Sequence, residues 1–315
     1  MGAAVGAPGS HTPALYHAVL SALQPSAGSR YVDGTLGAGG HAAGILEASS
    51  PDGELLGLDR DPSALALAQE RLQIFGPRAR LRHGSFAEMT SFAHELGWST
   101  VNGVLLDLGL SSMQVDDPQR GFSFRGNGPL DMRFDPGQSL SAEDLVNGLS
   151  LKELEGILVR FGEEPRARRV AKAIVGARPL HTTGELAEVV ARAVGRTRGR
   201  IHPATRTFQA LRIAVNGELD ALEVGLQQAV ALLAAGGRLV VISFHSLEDR
   251  MVKDFMRRES MDCICPPGQP VCTCGHRATL RLVTRRPVRP GEEEVRANPR
   301  ARSARMRVAE RLGMG

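Results

Sequence analysis

Apolar residues in the first 112 positions fall into two patterns: short continuous runs, and stretches where they recur every three to four residues. Continuous runs predict buried strands, and helical spacing predicts amphipathic helices. The two patterns alternate with short connections, which is typical of a parallel sheet covered by helices on both faces. The predicted elements are strands 31–33, 54–58, 80–83 and 103–108, a helix opening at Thr12-Pro13, and helices 42–48 and 63–72.

The middle of the chain lacks a convincing strand pattern. Helical spacing continues there, and the predicted helices are 141–149, 151–161, 167–177 and 185–194. The pattern of the first part returns with a helix at 218–235 and a continuous apolar strand at 238–244, and we expect 280–284 and 305–308 to pair as the last edge strands. The predicted fold is α/β, with an all-helical domain (113–215) inserted between two parts of a sheet domain (1–112 and 216–315).

Composition narrows the class of protein. The chain is 42% apolar and 23% charged with a net charge of +4, which excludes global disorder. Its longest apolar stretch, 239–244, is far shorter than the roughly 18 residues of a spanning helix, so no membrane partner is expected. The first ten residues lack the basic and apolar regions of a secretory signal, and we expect a cytosolic protein.

Basic residues are unevenly distributed. Between Arg160 and Arg212 there are 12 basic and 4 acidic residues, and between Arg277 and Arg311 there are 11 and 4. Two such stretches indicate a phosphate-rich partner, although a bias toward arginine with solvated faces would give the same counts. The predicted RNA contacts are Arg196, Arg198, Arg200 and Arg206, with further phosphate contacts among the arginines from 285 to 307.

A glycine-rich turn, Asp33-Gly-Thr-Leu-Gly-Ala-Gly-Gly, lies where the first strand gives way to a helix. Glycines there let a ligand approach the backbone, and an acid 20 residues after Gly39, Asp59, is placed to accept hydrogen bonds from ribose hydroxyls. A dinucleotide would use Gly37, Gly39 and Ala42 as its fingerprint. S-adenosylmethionine would use the acids that end the first and fourth strands, Asp33 and Asp107, and this alternative is favoured.

Several longer motifs resemble one family. They are Asp33–His41, Asp59-Arg-Asp-Pro62, Leu106–Ser112, Arg120-Gly-Phe-Ser-Phe124, Gly128–Arg133, Phe161-Gly-Glu-Glu164, His202–Ile213, Val241–Arg250 and Asn298–Ser303. Together they run from about His11 to Glu310 and resemble the bacterial 16S rRNA cytosine-N4 methyltransferases, the small subunit rRNA methyltransferase H (MraW) family. The resemblance implies a class I S-adenosylmethionine-dependent methyltransferase sheet with an inserted helical domain.

The resemblance also implies a function. The family methylates N4 of one cytidine in the decoding region of 16S rRNA, on the small ribosomal subunit in the bacterial cytoplasm, and we expect a monomer or homodimer. The cofactor contacts that carry over are Gly39, Gly40, His41, Asp59, Phe86, Asp107 and Gln114. One departure is Met113, where the family usually has proline, so the loop that carries Gln114 is expected to be less rigid.

Methyl transfer to an exocyclic amine needs a group that accepts its N–H hydrogen bond and later its proton. The candidate catalytic residues are Asp107, His245 and Asp131, and each has a structural alternative: cofactor binding for Asp107, a contact with Glu248 or Asp249 for His245, and a turn cap or ion pair with Arg133 for Asp131. Phe122 and Phe124 are candidates to stack on the flipped base, or else core residues.

Four cysteines form C-x-C-x6-C-x-C: Cys263, Cys265, Cys272 and Cys274. Four thiolates so close could hold a structural zinc, but C-x-C is tighter than the usual C-x2-C knuckle. Free thiols on a surface loop are therefore preferred, and no metal is expected. Two other functions remain open beside the methyltransferase: an NAD-dependent oxidoreductase on the same glycine turn, and a ribosome-assembly factor that binds without catalysis.

Overall fold

A computed structural model describes residues 13–195, 202–269 and 271–313. The chain divides into two compact units, Met1–Gly109 with Ala221–Gly315, and Leu110–Asp220. The helices are α1 (Tyr16–Leu23), α2 (Gly40–Ala48), α3 (Pro62–Leu72), α4 (Met89–Glu95), α5 (Ser112–Asp116), α6 (Ala142–Gly148), α7 (Leu151–Gly162), α8 (Ala167–Gly176), α9 (Thr183–Val194), α10 (Thr205–Asn216), α11 (Glu218–Leu232), α12 (Ser246–Glu259) and α13 (Glu292–Ala297).

The first unit is built on a seven-stranded sheet. Its strands are β1 (Arg30–Asp33), β2 (Glu54–Asp59), β3 (Ala79–His83), β4 (Val101–Asp107), β5 (Leu233–Ser243), β6 (Leu280–Leu282) and β7 (Arg305–Arg311), in the order β3-β2-β1-β4-β5-β7-β6. The pairs from β3 to β5 are parallel, whereas β7 is antiparallel to both β5 and β6. The carboxyl ends of β1, β2 and β4 therefore point the same way, which is where open α/β sheets bind ligands.

Alternating side chains of the sheet enter two cores. Leu105 joins the core that includes residues of α1, α2 and α3, whereas Val104 and Leu106 join the core that includes residues of α4, α11 and α12. This alternation follows from the two-residue period of a strand. Because both faces of the sheet are covered at its centre, β4 and the second half of β5 are nearly continuous apolar runs and could be recognised as such, whereas β3, at one edge, alternates with arginine.

Two expectations about the late strands are wrong in detail. The helix predicted at 218–235 ends at Leu232, and β5 already begins at Leu233, since an apolar run here suits either element. Strand β7 lies between β5 and β6 and is not an edge strand. Val308 enters one core and Ala309 enters the other, so both faces of β7 are covered. This burial is what an interior strand requires.

The second unit is helical. Helices α6 to α10 pack around one apolar core, and among the described residues its only β-type pairing is the isolated bridge between Pro129 and Thr182. The helical insert was predicted at 113–215, and the compact unit in the structure is Leu110–Asp220. The predicted fold class, an α/β sheet domain interrupted by a helical insert, is confirmed. No helix in the described ranges combines the length and apolarity that crossing a membrane requires.

Candidate functional site

The glycine turn forms the link between β1 and α2. Gly37 and Gly39 have φ angles of +52° and +75°, in the left-handed region that favours glycine. Gly39 is the N-cap of α2, and no side chain of the described residues caps this end. The turn thus keeps the first N–H groups of α2 available to a ligand.

Asp59 ties this turn to the end of β2. Its Oδ2 accepts the Gly37 N–H at 2.8 Å, and its Oδ1 accepts the Asp61 N–H at 2.8 Å. Burial raises the pKa of the Asp59 carboxyl, more than these hydrogen bonds lower it. Each carboxylate oxygen still has lone-pair capacity for a second donor, so Asp59 can accept hydrogen bonds from a ligand as well.

Asp33 ends β1 and is only 1% exposed. Burial is the largest cause that raises the pKa of Asp33 to about 7, and the negative charges of Asp107 and Asp59 raise it further. The charge of His41 and the Thr35 N–H, which donates to Asp33 Oδ1 at 3.1 Å, act in the opposite direction. We call Asp33, Asp59 and Asp107 the acidic cradle.

Asp107 and His41 are partners inside this cradle. The Asp107 N–H donates to Thr35 Oγ1 at 2.6 Å, and Asp107 Oδ2 lies 3.4 Å from His41 Nε2. Both ring nitrogens of His41 and Asp107 Oδ1 are buried without a hydrogen-bond partner in the described part of the chain. Tyr16, which the motifs did not single out, stacks on the His41 ring with centroids 6.0 Å apart. Buried polar atoms without partners are costly, and a polar ligand bound at the cradle would supply partners for these.

Phe86 is held by contacts with two glycines. A Cβ on Gly34 would lie 2.7 Å from the Phe86 Cβ, and one on Gly225 would lie 2.4 Å from its ring. The half-buried ring also packs on the core beneath β4. A side chain at either position would collide with Phe86, so both glycines leave the space that Phe86 occupies.

Gln114 and Asp131 belong to the second unit. Gln114 is buried and forms a capping box with Ser111 at the start of α5, which therefore begins normally although Met113 replaces the family's proline. Asp131 is bound by Arg133, whose Nε donates to Oδ1 at 2.9 Å and whose Nη2 donates to Oδ2 at 2.6 Å. Burial alone would raise the pKa of Asp131, but the Arg133 hydrogen bonds and charge lower it below its usual value.

His245 is the N-cap of α12. Its Nδ1 accepts the Glu248 N–H at 3.4 Å, while Glu248 Oε2 accepts the N–H groups of Phe244 and His245 at 2.9 and 3.3 Å. Glu248 Oε1 also lies 3.1 Å from His245 Nε2. The expected contact with Glu248 is therefore present, in the form of a capping box.

Only some of the arginines predicted to contact nucleic acid lie in the described part of the chain. Arg196, Arg198 and Arg200 lie outside the described residues, and Arg206 is exposed near the start of α10. The phosphate contacts expected from 285 to 307 stay a prediction; within this range Arg305 and Arg307 donate to the Asp249 carboxylate, at 2.9 and 2.7 Å.

Phe122 and Phe124 both contact aromatic residues of the second unit. Phe122 is 7% exposed in the helical core and stacks on Phe134. Phe124 lies between His202 and Phe208, with ring centroids 4.4 and 5.0 Å away. The core alternative therefore describes Phe122.

Comparison with known proteins settles the family. A family model described as the MraW methylase family matches residues 9–312. This chain belongs to the MraW methylase family. Ribosomal RNA small subunit methyltransferase H of Thermomicrobium roseum is 55% identical over 96% of this chain and 94% of the relative, and that of Dehalococcoides mccartyi (strain 195) is 54% identical over 96% and 86%. A solved rRNA methylase from Streptococcus thermophilus is 9% identical over 95% of this chain and 94% of that chain, with a TM-score of 0.41, too low to support a conclusion.

The predicted cofactor, S-adenosylmethionine, is confirmed for this member of the MraW family. The acidic cradle fits this ligand, because a sulfonium and an ammonium group relieve repulsion among buried carboxylates and ribose hydroxyls can donate to them. A dinucleotide would bring two phosphate charges to the same carboxylates. The oxidoreductase alternative is therefore set aside.

Proposed function

We propose that this protein transfers a methyl group from S-adenosylmethionine to N4 of a cytidine in the decoding region of 16S rRNA, on the small ribosomal subunit in the bacterial cytoplasm. The observation that carries the proposal is 50–55% identity over 96% of the chain to proteins named ribosomal RNA small subunit methyltransferase H. The choice of cytosine N4 and of the decoding region rests on the motif resemblance described above.

The cofactor is proposed to be held by residues at the ends of β1, β2 and β4, whereas a contact with Gln114 is only implied by the motif resemblance. When bound, S-adenosylmethionine supplies an electrophilic methyl carbon on a positive sulfur. The acidic cradle balances that charge, Asp59 accepts hydrogen bonds from ribose hydroxyls, and Phe86 offers an apolar ring surface. The contacts assigned to this role are Gly39, Gly40, His41, Asp59, Phe86, Asp107 and Gln114.

Among the three candidate acceptors, Asp107 is the one we assign to the N4 amine. Its Oδ1 is buried and has no hydrogen-bond partner among the described residues, so it can accept an N–H. Asp131 is a weaker base because Arg133 lowers its pKa. His245 Nε2 is likewise buried without a hydrogen bond among the described residues, but it lies 3.1 Å from Glu248 Oε1, and Nδ1 and the backbone N–H serve the capping box of α12, so we assign His245 a structural role.

The helical unit is proposed to contact the RNA backbone. Arg206 is exposed there, as are three cations on α8, Arg168, Arg169 and Lys172. Basic side chains on one surface neutralise phosphates in a salt-dependent way. Charge reversal at Arg196, Arg198, Arg200 and Arg206 should weaken rRNA binding and its salt dependence, without changing cofactor affinity.

The function is tested with labelled S-adenosylmethionine and small ribosomal subunits from a strain that lacks this modification. The RNA is digested after incubation, and the labelled nucleoside is identified by mass spectrometry. We expect N4-methylcytidine at one site. Binding to subunits without label transfer would favour a non-catalytic assembly factor, and label in another nucleoside would refute the cytosine-N4 assignment.

Asp107→Asn separates acceptance of the proton from cofactor binding. If Asp107 accepts the N4 proton, kcat at saturating cofactor falls by about 10²- to 10⁴-fold, in addition to the rise in the Kd for S-adenosylmethionine that follows from losing one charge of the acidic cradle. Asp254→Asn is the matched control, because Asp254 is 59% exposed on α12 and pairs only with its neighbour Lys253 among the described residues. A raised Kd with unchanged kcat would assign Asp107 to cofactor binding alone.

A further inference from the structure

The four cysteines lie together in the loop that links α12 to β6. Their sulfur atoms all lie within 4.8 Å of one another. Cys263 Sγ is 3.5 Å from Cys272 Sγ and 3.8 Å from Cys274 Sγ, and the sulfurs of Cys272 and Cys274 are 3.5 Å apart. The fourth sulfur, of Cys265, is 4.0 Å from that of Cys272.

These distances match the edges of a tetrahedron around a metal. A zinc–sulfur bond of about 2.3 Å places the thiolates of a tetrahedral site about 3.8 Å apart. The four separations given above, 3.5 to 4.0 Å, lie on both sides of that value. They are also well beyond the roughly 2.05 Å of a disulfide bond. The tight C-x-C spacing is therefore compatible with four ligands around one centre.

Backbone N–H groups surround the sulfurs as a second layer. Ile264 N–H donates to Cys274 Sγ, Cys265 N–H to Cys263 Sγ, and Thr273 N–H to Cys265 Sγ, each at 3.4 Å. Donors of this kind stabilise the negative charge that thiolates carry as metal ligands. Three of the four sulfurs thus accept a backbone hydrogen bond.

The base of the loop is fixed independently of the cysteines. The Thr279 N–H donates to the Glu259 carbonyl oxygen at 2.8 Å, and its hydroxyl donates to Glu259 Oε2 at 2.7 Å. The His276 ring nitrogen is 3.1 Å from the Arg258 carbonyl oxygen. Beyond this base the cysteine side chains are exposed or half-buried, so the tip lacks an apolar core of its own. A metal would supply the missing cross-link.

We propose that Cys263, Cys265, Cys272 and Cys274 bind one structural zinc ion as a tetrathiolate site. Four protein ligands close the coordination sphere, as in structural rather than catalytic zinc sites. The net charge of such a site, −2, would lie in an arginine-rich part of the chain, with Arg257 and Arg258 in the last turn of α12. This assignment replaces the expectation of free thiols from spacing alone.

The first test measures metal in the untagged full-length protein, purified under reducing conditions without chelators. Elemental analysis should find about one zinc per chain, and mercurial titration of the thiols should release it. Replacement by cobalt(II) should give the ligand-field and charge-transfer absorption of tetrahedral thiolate coordination. Absence of zinc, together with no cobalt(II) spectrum from the reduced protein, would refute the site, and so would recovery of disulfides in place of thiols.

Matched variants separate the metal from a general effect on folding. Cys272→Ser should lose the zinc and make the peptide bond after Arg277 more sensitive to trypsin, while S-adenosylmethionine still binds with unchanged affinity. Val271→Ala is the control, because Val271 is 71% exposed and offers no ligand, and it should keep full zinc content. Retention of zinc by a variant with all four cysteines changed to serine would place the metal elsewhere and refute the proposal.

Discussion

Asp33 offers the sharpest test of the acidic cradle, because one buried carboxyl affects both stability and ligand binding. Its pKa rises from an ordinary 3.8 to about 7, chiefly through burial. Below pH 4 it is protonated in both the folded and the unfolded chain. Between pH 4 and 7 only the folded chain keeps the proton, so the free energy of unfolding falls as pH rises and levels off above 7.

The size of the effect follows from the shift. Each pKa unit is worth about 1.4 kcal/mol, so ionised Asp33 should cost the ligand-free fold about 4 kcal/mol at pH 8. Asp33→Asn keeps an oxygen to accept the Thr35 N–H but cannot ionise. We therefore expect the variant to be more stable than the wild type at pH 8, with a difference that is constant above pH 7 and shrinks by about 1.4 kcal/mol per unit between pH 7 and pH 4.

The assay uses urea unfolding followed by Trp98 fluorescence between pH 4 and 8. Trp98 is the only tryptophan and is 2% exposed in the core of the sheet unit, so it reports unfolding of the unit that contains Asp33. Asp52→Asn is the control, since Asp52 is an exposed acid that accepts the Gly28 N–H. A difference between wild type and Asp33→Asn that does not vary with pH would refute the reasoning.

Three further predictions concern the structure around the site. Gly39→Ala should lower the free energy of unfolding by about 1–2 kcal/mol in thermal melts, because φ is +75° there, and a neutral result would contradict that strain. Asp249→Asn should lower the free energy of unfolding by about 3 kcal/mol at pH 7, because it removes the charge that Arg305 and Arg307 share. These arginines lower the pKa of Asp249, against the effect of burial, so the wild type should lose its advantage as the pH falls through the lowered pKa. A difference in stability that is the same at all pH values would count against this prediction. His245→Ser should keep both melting temperature and kcat because serine also caps helices, whereas a tenfold fall in kcat at unchanged stability would return His245 to the chemistry.

Strand positions could be predicted from the sequence because every central strand is buried on both faces. Strand order could not, since the place of β7 between β5 and β6 depends on long-range pairing with β5. The end of α11 was also missed, because leucines continue from the helix into the strand without a break in hydrophobicity. Local pattern therefore identifies elements, and tertiary contacts decide their order.

The candidate site shows the same division. Asp33, Asp59 and Asp107 could be found because each follows an apolar strand, and parallel strands end at one edge. The structural role of His245 as the N-cap of α12 is also predictable from the sequence, because Glu248 follows three residues later, at the spacing of a capping box. The contact of Tyr16 with His41 had no sequence signal, because Tyr16 is one of several apolar positions on a short helix.

The acidic cradle predicts that cofactor affinity and the protonation of Asp33 are linked. If the positive groups of S-adenosylmethionine meet ionised Asp33, affinity should rise about tenfold per pH unit up to pH 7, because binding then requires loss of the Asp33 proton. Ligand-free stability and ligand-induced stabilisation should consequently change in opposite directions with pH. Calorimetry from pH 5.5 to 8 measures the affinity, and Asp33→Asn should show weaker binding without this slope. A wild-type affinity that is constant over the range would mean that the cofactor's charge is balanced elsewhere in the cradle.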